Sequence, residues 1–372
     1  MYVIYYFLLY PFLLILSFFR KKTDKILIIQ TAKIGDYVNS TIIFDAASST
    51  KGGKFDIVLD KINLNFADYD SRIENKFAIN KYKKGIKKFI LGFKLFFKSY
   101  DKIYVLMPNN LNLFLAKFAF PKHIITISHY KNSSFFYLLS KNAKVIQHTK
   151  NDLTLKTYLK MLDLELFQNE PQKDTIKVKK MVQKPLFIPE KCENLLINEH
   201  KFKVGLSLSA GNKMKTIIPQ TWDKIFEILS KFDVEIYIFG VADEINLLKN
   251  TNTRNIKIVS LIDKISLNEL PFYISKMNLY ISSDTGNYYI ADTMEVPTIC
   301  FMGPCFASEQ RGVFNSLIIT SNLPPFSAVF DTIYKTDAKK YFEITQKDEK
   351  NIYEFINNLY KSFLSCKDNF PN

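Results

Sequence analysis

The sequence predicts an α/β protein made of two doubly wound, parallel-sheet domains. Three observations lead there. Short runs rich in Ile, Val and Leu alternate with segments of helical spacing, as in parallel sheets covered by helices. The alternation is interrupted once, around 168–190, and then restarts. The chain has 372 residues, which suits two domains of ~100–200 residues each.

Residues 1–19 carry no charged side chain, and Arg20, Lys21 and Lys22 follow them. Nineteen helical residues span ~28 Å, close to the hydrocarbon thickness of a bilayer. The run has neither the basic start nor the small-residue cleavage site of a signal peptide. Three placements are open. A membrane span would leave the rest of the chain cytoplasmic, because the basic triplet trails it. An interfacial segment would suit the central Pro11. An apolar helix packed on the protein itself is the third. Membrane contact is the expectation.

Residues 25–30 (KILIIQ) have strand composition, 31–36 form a loop, and 37–47 read as a helix. A second strand follows at 55–59. Ile86, Phe89, Ile90, Phe93, Phe96 and Phe97 recur at helical spacing, which predicts an amphipathic helix over 85–99 with these residues on one face. Strands at 103–107 and 123–127 and a helix at 153–164 complete the first half. The stretch 168–190, with Pro171, Pro185 and Pro189, reads as a linker. Beyond it, strands at 204–208, 234–239, 256–259, 279–282 and 298–301 alternate with helices at 222–229, 243–250, 267–275 and 287–294. Ile352, Phe355, Ile356, Leu359, Tyr360, Phe363 and Leu364 trace one face of a final helix, which needs a surface to dock on.

The net charge of +15 is uneven. Residues 1–190 balance at +16 and residues 191–372 at −1. A uniformly basic coat is excluded, and the halves are expected to meet different partners. The cysteines at 192, 300, 305 and 366 form no CxxC pair, and the histidines at 123, 129, 148 and 200 form no HxH or HxxxH. Zinc sites and His-based metal hydrolases are therefore not expected.

Three loops follow strands and open helices, where ligands bind in parallel sheets. In the first, Gly35 permits a tight turn, and Asp36 is either a helix cap or a base for a proton arriving in the cleft. A nucleotide turn would want more glycine than this loop has. In the second, Asp284, Thr285 and Gly286 open a helix whose free N–H groups suit phosphate oxygens; ordinary capping is the alternative. In the third, LSLSAGNKMK at 206–215 sets hydroxyls, a glycine and two lysines after a strand, which suits a diphosphate or simply a solvated loop.

Together these stretches resemble a known family. ILIIQTAKIGDYVNSTIIF resembles the opening of the heptosyltransferase-type family, glycosyltransferase family 9. LYISSDTGNYYIADTMEVPTICFMGP, GLSLSAGNKMKTIIPQTWDKI and FGVADEINLL are similar to its later hallmarks, in the family's order over about 25–305. The resemblance implies a GT-B fold, two Rossmann-like domains with an interdomain cleft. It also implies an inverting, metal-independent glycosyltransferase without cofactor, which takes a nucleotide sugar, usually ADP-heptose, to a lipopolysaccharide core. On this resemblance Asp36 falls on the general base and Lys215 on the phosphate-contacting lysine, with Lys213 open because the spacing to Pro219 is one residue long. Ser209 falls on the nearby hydroxyl, Glu244 on the ribose-holding carboxylate, and Asp284, Thr285 and Gly286 on the donor turn. Tyr289 stands where the family commonly has His, and Ile217–Ile218 where it often has Trp. A tyrosine does not become cationic near neutral pH, so another nucleotide sugar, or a non-catalytic nucleotide-binding or scaffold relative, is the alternative.

The expected organisation is a membrane-associating segment (1–22), an acceptor domain (23–185), a donor domain (186–335) and a helical tail packing back on them (336–372). The lone DxD, Asp68-Tyr69-Asp70, lies outside any donor turn and reads as chance. Lys83, Lys84, Lys87 and Lys88 belong to an acid-free stretch at 76–98 interleaved with Phe. Without a recognition motif this is not expected to bind nucleic acid. It reads as contact with anionic lipid or a phosphorylated glycolipid, or as a solvated face over a core stripe. The expected location is the cytoplasmic face of the inner membrane, peripheral or anchored through 1–19.

Overall fold

A computed structural model describes residues 2–48, 53–162, 186–189, 200–241, 243–249, 251–334 and 336–368. The chain divides into two compact units, Met1–Lys184 and Pro185–Asn372. Most of the stretch expected as a linker, 168–190, lies outside the described residues, as does Cys192.

The first unit opens with helix α1 (Tyr2–Ser17). Six strands follow: β1 (Ile26–Gln30), β2 (Phe55–Leu59), β3 (Ile73–Ala78), β4 (Lys102–Val105), β5 (His123–Ser128) and β6 (Lys144–Gln147). They form one sheet in the order β3-β2-β1-β4-β5-β6, with every pairing parallel. β1 and β2 are buried at every position, as strands covered on both faces must be. The connections include α2 (Ile34–Ser40), α3 (Phe44–Ser48), α4 (Leu64–Ala67), α5 (Lys87–Lys98), α6 (Asn110–Phe118), α7 (Ser134–Leu139) and α8 (Thr154–Met161). The helix expected over 37–47 is in fact α2, a 3-10 turn and α3 in succession.

The second unit repeats this topology. Its strands are β7 (Phe202–Leu206), β8 (Val234–Ile238), β9 (Lys257–Ser260), β10 (Leu279–Ser283), β11 (Thr298–Phe301) and β12 (Ser316–Ile319). Their order is β12-β11-β10-β7-β8-β9, again all parallel. Among the described residues its helices are α9 (Pro219–Leu229), α10 (Asp243–Lys249), α11 (Leu270–Ser275), α12 (Gly286–Thr293) and α13 (Gln346–Asp368). α13 docks on this unit's own core. Ile352 and Ile356 are buried there, and Phe202 meets the rings of Tyr360 and Phe363, each at 5.6 Å. Leu364, at the end of the expected stripe, is exposed.

One of the three open placements of residues 1–19, the membrane span, finds no support, and one expectation needs correction. α1 has 16 residues, ~24 Å of helix, and no helix among the described residues is long and apolar enough to cross a membrane. Val3 and Leu13 instead enter the core of the first unit, so one face of α1 packs on the protein itself. The apolar stripe of α5 is also not a single face. Leu91, Leu95 and Phe96 are buried and Phe89 and Phe93 partly so, but Ile86, Ile90 and Phe97 are exposed.

Candidate active site

In each sheet the strand order reverses beside the first strand, at β1/β4 and at β7/β10. Ligands bind beyond the strand ends at such points.

In the first unit the chain leaves β1 through Thr31–Lys33 and enters α2. Lys33 is the N-cap residue, and Asp36 sits in the first turn, half-buried, where a helix start favours negative charge. Asp36 is thus not the cap itself. The loop is held from several sides. The Asn112 side-chain amide donates to Thr31 Oγ1 at 2.7 Å and to the Met107 carbonyl at 2.8 Å. Asn63 donates to the Ala32 carbonyl at 2.9 Å, and Gln30 Nε2 donates to the Asp36 carbonyl at 3.3 Å. Gln30 Nε2 also reaches the Tyr158 hydroxyl at 3.4 Å. Burial, reinforced by the Asp36 charge, raises the Tyr158 phenol far above its usual range, so it stays protonated. These partners escape sequence reasoning because each lies far along the chain or outside any motif.

In the second unit the loops after β7 and β10 meet. Lys215, in a 3-10 turn over Lys213–Lys215, places Nζ 2.5 Å from Asp284 Oδ2. The Tyr289 hydroxyl donates to Asp284 Oδ1 at 2.5 Å. Burial works to raise the Asp284 carboxyl, but the Lys215 charge and hydrogen bonds from Lys215, Tyr289 and Cys305 outweigh it and hold it below the usual carboxylate range. Burial, then the Asp284 charge, pushes the Cys305 thiol up to about 12. Burial likewise raises Cys300. Both cysteines are therefore protonated thiols, not nucleophiles. Lys213, the other candidate, is exposed.

Beside this cluster, Thr285 is the N-cap residue of α12, yet its side chain makes no capping bond. Its Oγ1 is buried without a hydrogen-bond partner among the described residues, and Gly286 opens the helix. Behind the turn, Asn287 donates to Ser207 Oγ at 3.0 Å, and Ser207 shares a 2.7 Å hydrogen bond with Tyr280. After β8, Glu244 is buried on α10 and accepts the Ser209 N–H at 3.0 Å and the Ser209 hydroxyl. Gly240 makes this approach possible, since a Cβ there would lie 2.3 Å from Glu244 Cγ. Gly303 has a positive φ of 55° and faces the Phe342 ring, which accounts for the Gly-Pro pair structurally.

The DxD carboxylates are engaged elsewhere. Asp70 holds Arg72 in a buried pair at 2.7 Å, and Asp68 lies 3.3 Å from Lys76. Among the described residues no group of three His, Cys, Asp or Glu side chains is placed to hold a metal ion. Lys83, Lys84 and Lys87 are exposed, whereas Lys88 lies over the Tyr2 and Tyr5 rings at 5.2 and 5.7 Å.

The family model described as glycosyltransferase family 9 (heptosyltransferase) matches residues 100–340, well over half of the chain. The chain belongs to glycosyltransferase family 9. It is a glycosyltransferase, and solved structures share its fold. Heptosyltransferase II of Escherichia coli, described as an ADP-heptose lipopolysaccharide enzyme, is 15% identical with a TM-score of 0.66, over 91% of this glycosyltransferase and 99% of that chain. A family 9 glycosyltransferase from Veillonella parvula is 12% identical with a TM-score of 0.65, over 92% and 99%. The E. coli heptosyltransferase WaaC, solved with ADP-2-deoxy-2-fluoro heptose, is 13% identical with a TM-score of 0.60, over 90% and 99%. No curated protein sequence matches this glycosyltransferase.

Proposed function

We propose that this glycosyltransferase moves heptose from ADP-heptose to a lipopolysaccharide core acceptor at the cytoplasmic face of the inner membrane. The reading rests on the Lys215–Asp284–Tyr289 cluster beside the orphaned Thr285 hydroxyl and the start of α12. A half-buried cation, a hydroxyl and the free N–H groups of a helix start at neighbouring positions suit a departing diphosphate. The diphosphate would compete with Asp284 for the Lys215 ammonium. Glu244 and Ser209 would receive the ribose hydroxyls. Asp36 would take the proton from the acceptor hydroxyl as its oxygen attacks the anomeric carbon and ADP departs. One direct displacement inverts that carbon, and no step calls for a metal or cofactor. The similar enzymes described as acting on ADP-heptose or binding its analogue support this donor.

A second reading, another nucleotide sugar, is favoured by Tyr289. It occupies the place of a residue that can become cationic, and it spends its hydroxyl on Asp284. A thermal-shift panel of ADP-, UDP-, GDP- and CMP-sugars separates the two, because donor binding must stabilise the fold. Selective stabilisation by ADP compounds supports heptose. Stabilisation by another nucleotide alone replaces it.

A further inference from the structure

α1 has no charged side chain, and the protein covers one side of it. Val3 and Leu13 lie in the core, with Tyr2, Tyr5 and Leu9 packed against it. On the opposite side Ile4, Phe7, Leu8, Phe12 and Ile15 follow the i, i+3, i+4 spacing of a single helix face, and all are exposed, as is Phe18 in the turn that follows. Leu8 is 72% exposed and Phe7 60%. A helix that is apolar all round is normally covered all round, and an apolar face left open marks an interaction site. Neighbouring elements add to it. α7, which α1 touches, exposes Phe135, Tyr137 and Leu138. α5, whose Phe89 ring meets Tyr5 at 5.1 Å, exposes Ile90, and its N-cap residue Ile86 is exposed beside it.

The chain beside this apolar surface is basic, although two of its lysines are paired, Lys76 with Asp68 at 3.3 Å and Lys98 with Asp56 at 3.8 Å. The stretch 76–98 holds eight lysines and no acid. Among the described residues Lys21, Lys22, Lys84 and Lys87 make no ion pair. Arg20, which follows α1, does not float among them. Its guanidinium donates to the carbonyls of Phe96 at 2.6 Å, Ala119 at 3.0 Å and Phe120 at 2.7 Å, and lies 4.2 Å from the Phe96 ring centroid. Those carbonyls belong to the ends of α5 and α6. The clamp fixes the C-terminal end of α1 to the domain, so its outer face is presented from a set position rather than threaded through a bilayer.

We infer that the outer face of α1, with the exposed side chains of α7 and α5, is a monotopic insertion surface for an anionic phospholipid bilayer. α1 lies in the plane of the interface, its apolar side chains at the acyl boundary and the lysines among the headgroups. Charge selects a bilayer over a second copy of the chain, since pairing two such faces would bring acid-free lysine clusters together. The inference deepens the proposed function by stating how the enzyme would reach a lipid-borne acceptor, and it rests on that reading for the acceptor alone.

The test is flotation of the full chain with phosphatidylcholine vesicles, with and without phosphatidylglycerol, none containing glycolipid. The expected result is binding to the anionic vesicles, weakened by salt. The double variant Phe7→Glu/Leu8→Glu should lower vesicle binding roughly tenfold or more. Its melting temperature and its turnover of a water-soluble acceptor should stay unchanged. Lys84→Glu/Lys87→Glu should lower binding to anionic vesicles and leave any binding to neutral ones alone. Failure of the unaltered chain to float, indifference of flotation to both variants, or a dimer that Phe7→Glu/Leu8→Glu dissociates would overturn the inference. Flotation of a chain that releases no ADP from ADP-heptose would overturn only the proposed reaction.

Discussion

Asp36 and Lys215 lie on different units, and the proposed reaction gives them separable roles. Asp36→Asn keeps the size of the side chain and removes its basicity. It should lower kcat by roughly 10²–10⁴ while the ADP-heptose Kd, measured by calorimetry, stays put. Lys215→Ala should raise that Kd by roughly tenfold or more, the scale of a lost charge-assisted hydrogen bond, and Lys213→Ala should not. An unchanged Kd for Lys215→Ala would transfer the phosphate contact elsewhere. Asp284 carries a pH prediction. Its carboxyl lies below the usual range when folded, so the unfolded chain, with a value of about 3.9, binds the proton first. Its stabilising contribution is present above that value and is lost as pH falls through the folded one. Acid titration of the melting temperature should therefore show Asp284→Asn flatter than the parent below about pH 4. The motif residues at this scale are legible in the sequence because each lies within a few positions of a glycine turn. Asn112 on Thr31 and Tyr158 on Gln30 are not, because they act across 81 and 128 residues with no spacing to announce them.

At the scale of elements, buried strands announce themselves, whereas three of the four edge strands do not; the fourth, β9, is legible at 256–259. β3 (IENKFA), β6 (KVIQ) and β12 (SLII) each close one edge of a sheet and are only partly buried. An edge strand needs no continuous apolar run, and none of the three stands out from the surrounding sequence. α5 shows a second limit. Periodicity finds the helix but not its neighbours, so it groups exposed Ile86, Ile90 and Phe97 with core-facing Phe93 and Phe96. α13 is legible as a helix in want of a surface, and the surface is the second unit's core. Ile356→Ala removes a fully buried side chain there and should destabilise the fold by about 2–5 kcal/mol, read as a lower urea midpoint. Gly240→Ala would drive a Cβ into Glu244. Donor affinity should fall with it, and a normal Kd would separate Glu244 from the ribose.

The whole molecule repeats one six-stranded topology in two units with different charge. The +16 half carries the exposed apolar face of α1 and its lysines. The −1 half carries a compact cluster in which Lys215 is already balanced by Asp284. The proposed diphosphate site needs no excess of positive charge over the whole half, because a half-buried cation and a helix start act at short range where solvent screening is weak. Length and strand alternation make the two-sheet architecture legible. The identity of the sugar is not legible, since the sequence offers only the exchange at Tyr289 as a sign of it. The central claim is transfer of heptose by displacement of ADP, and mass spectrometry of the acceptor tests it most directly. Incubated with ADP-heptose and a lipopolysaccharide core acceptor lacking its terminal heptose, the chain should add a single heptosyl group with one ADP released per addition, and Asp36→Asn should add almost none. An acceptor left unmodified by the parent chain, or modified equally by Asp36→Asn, would contradict the account.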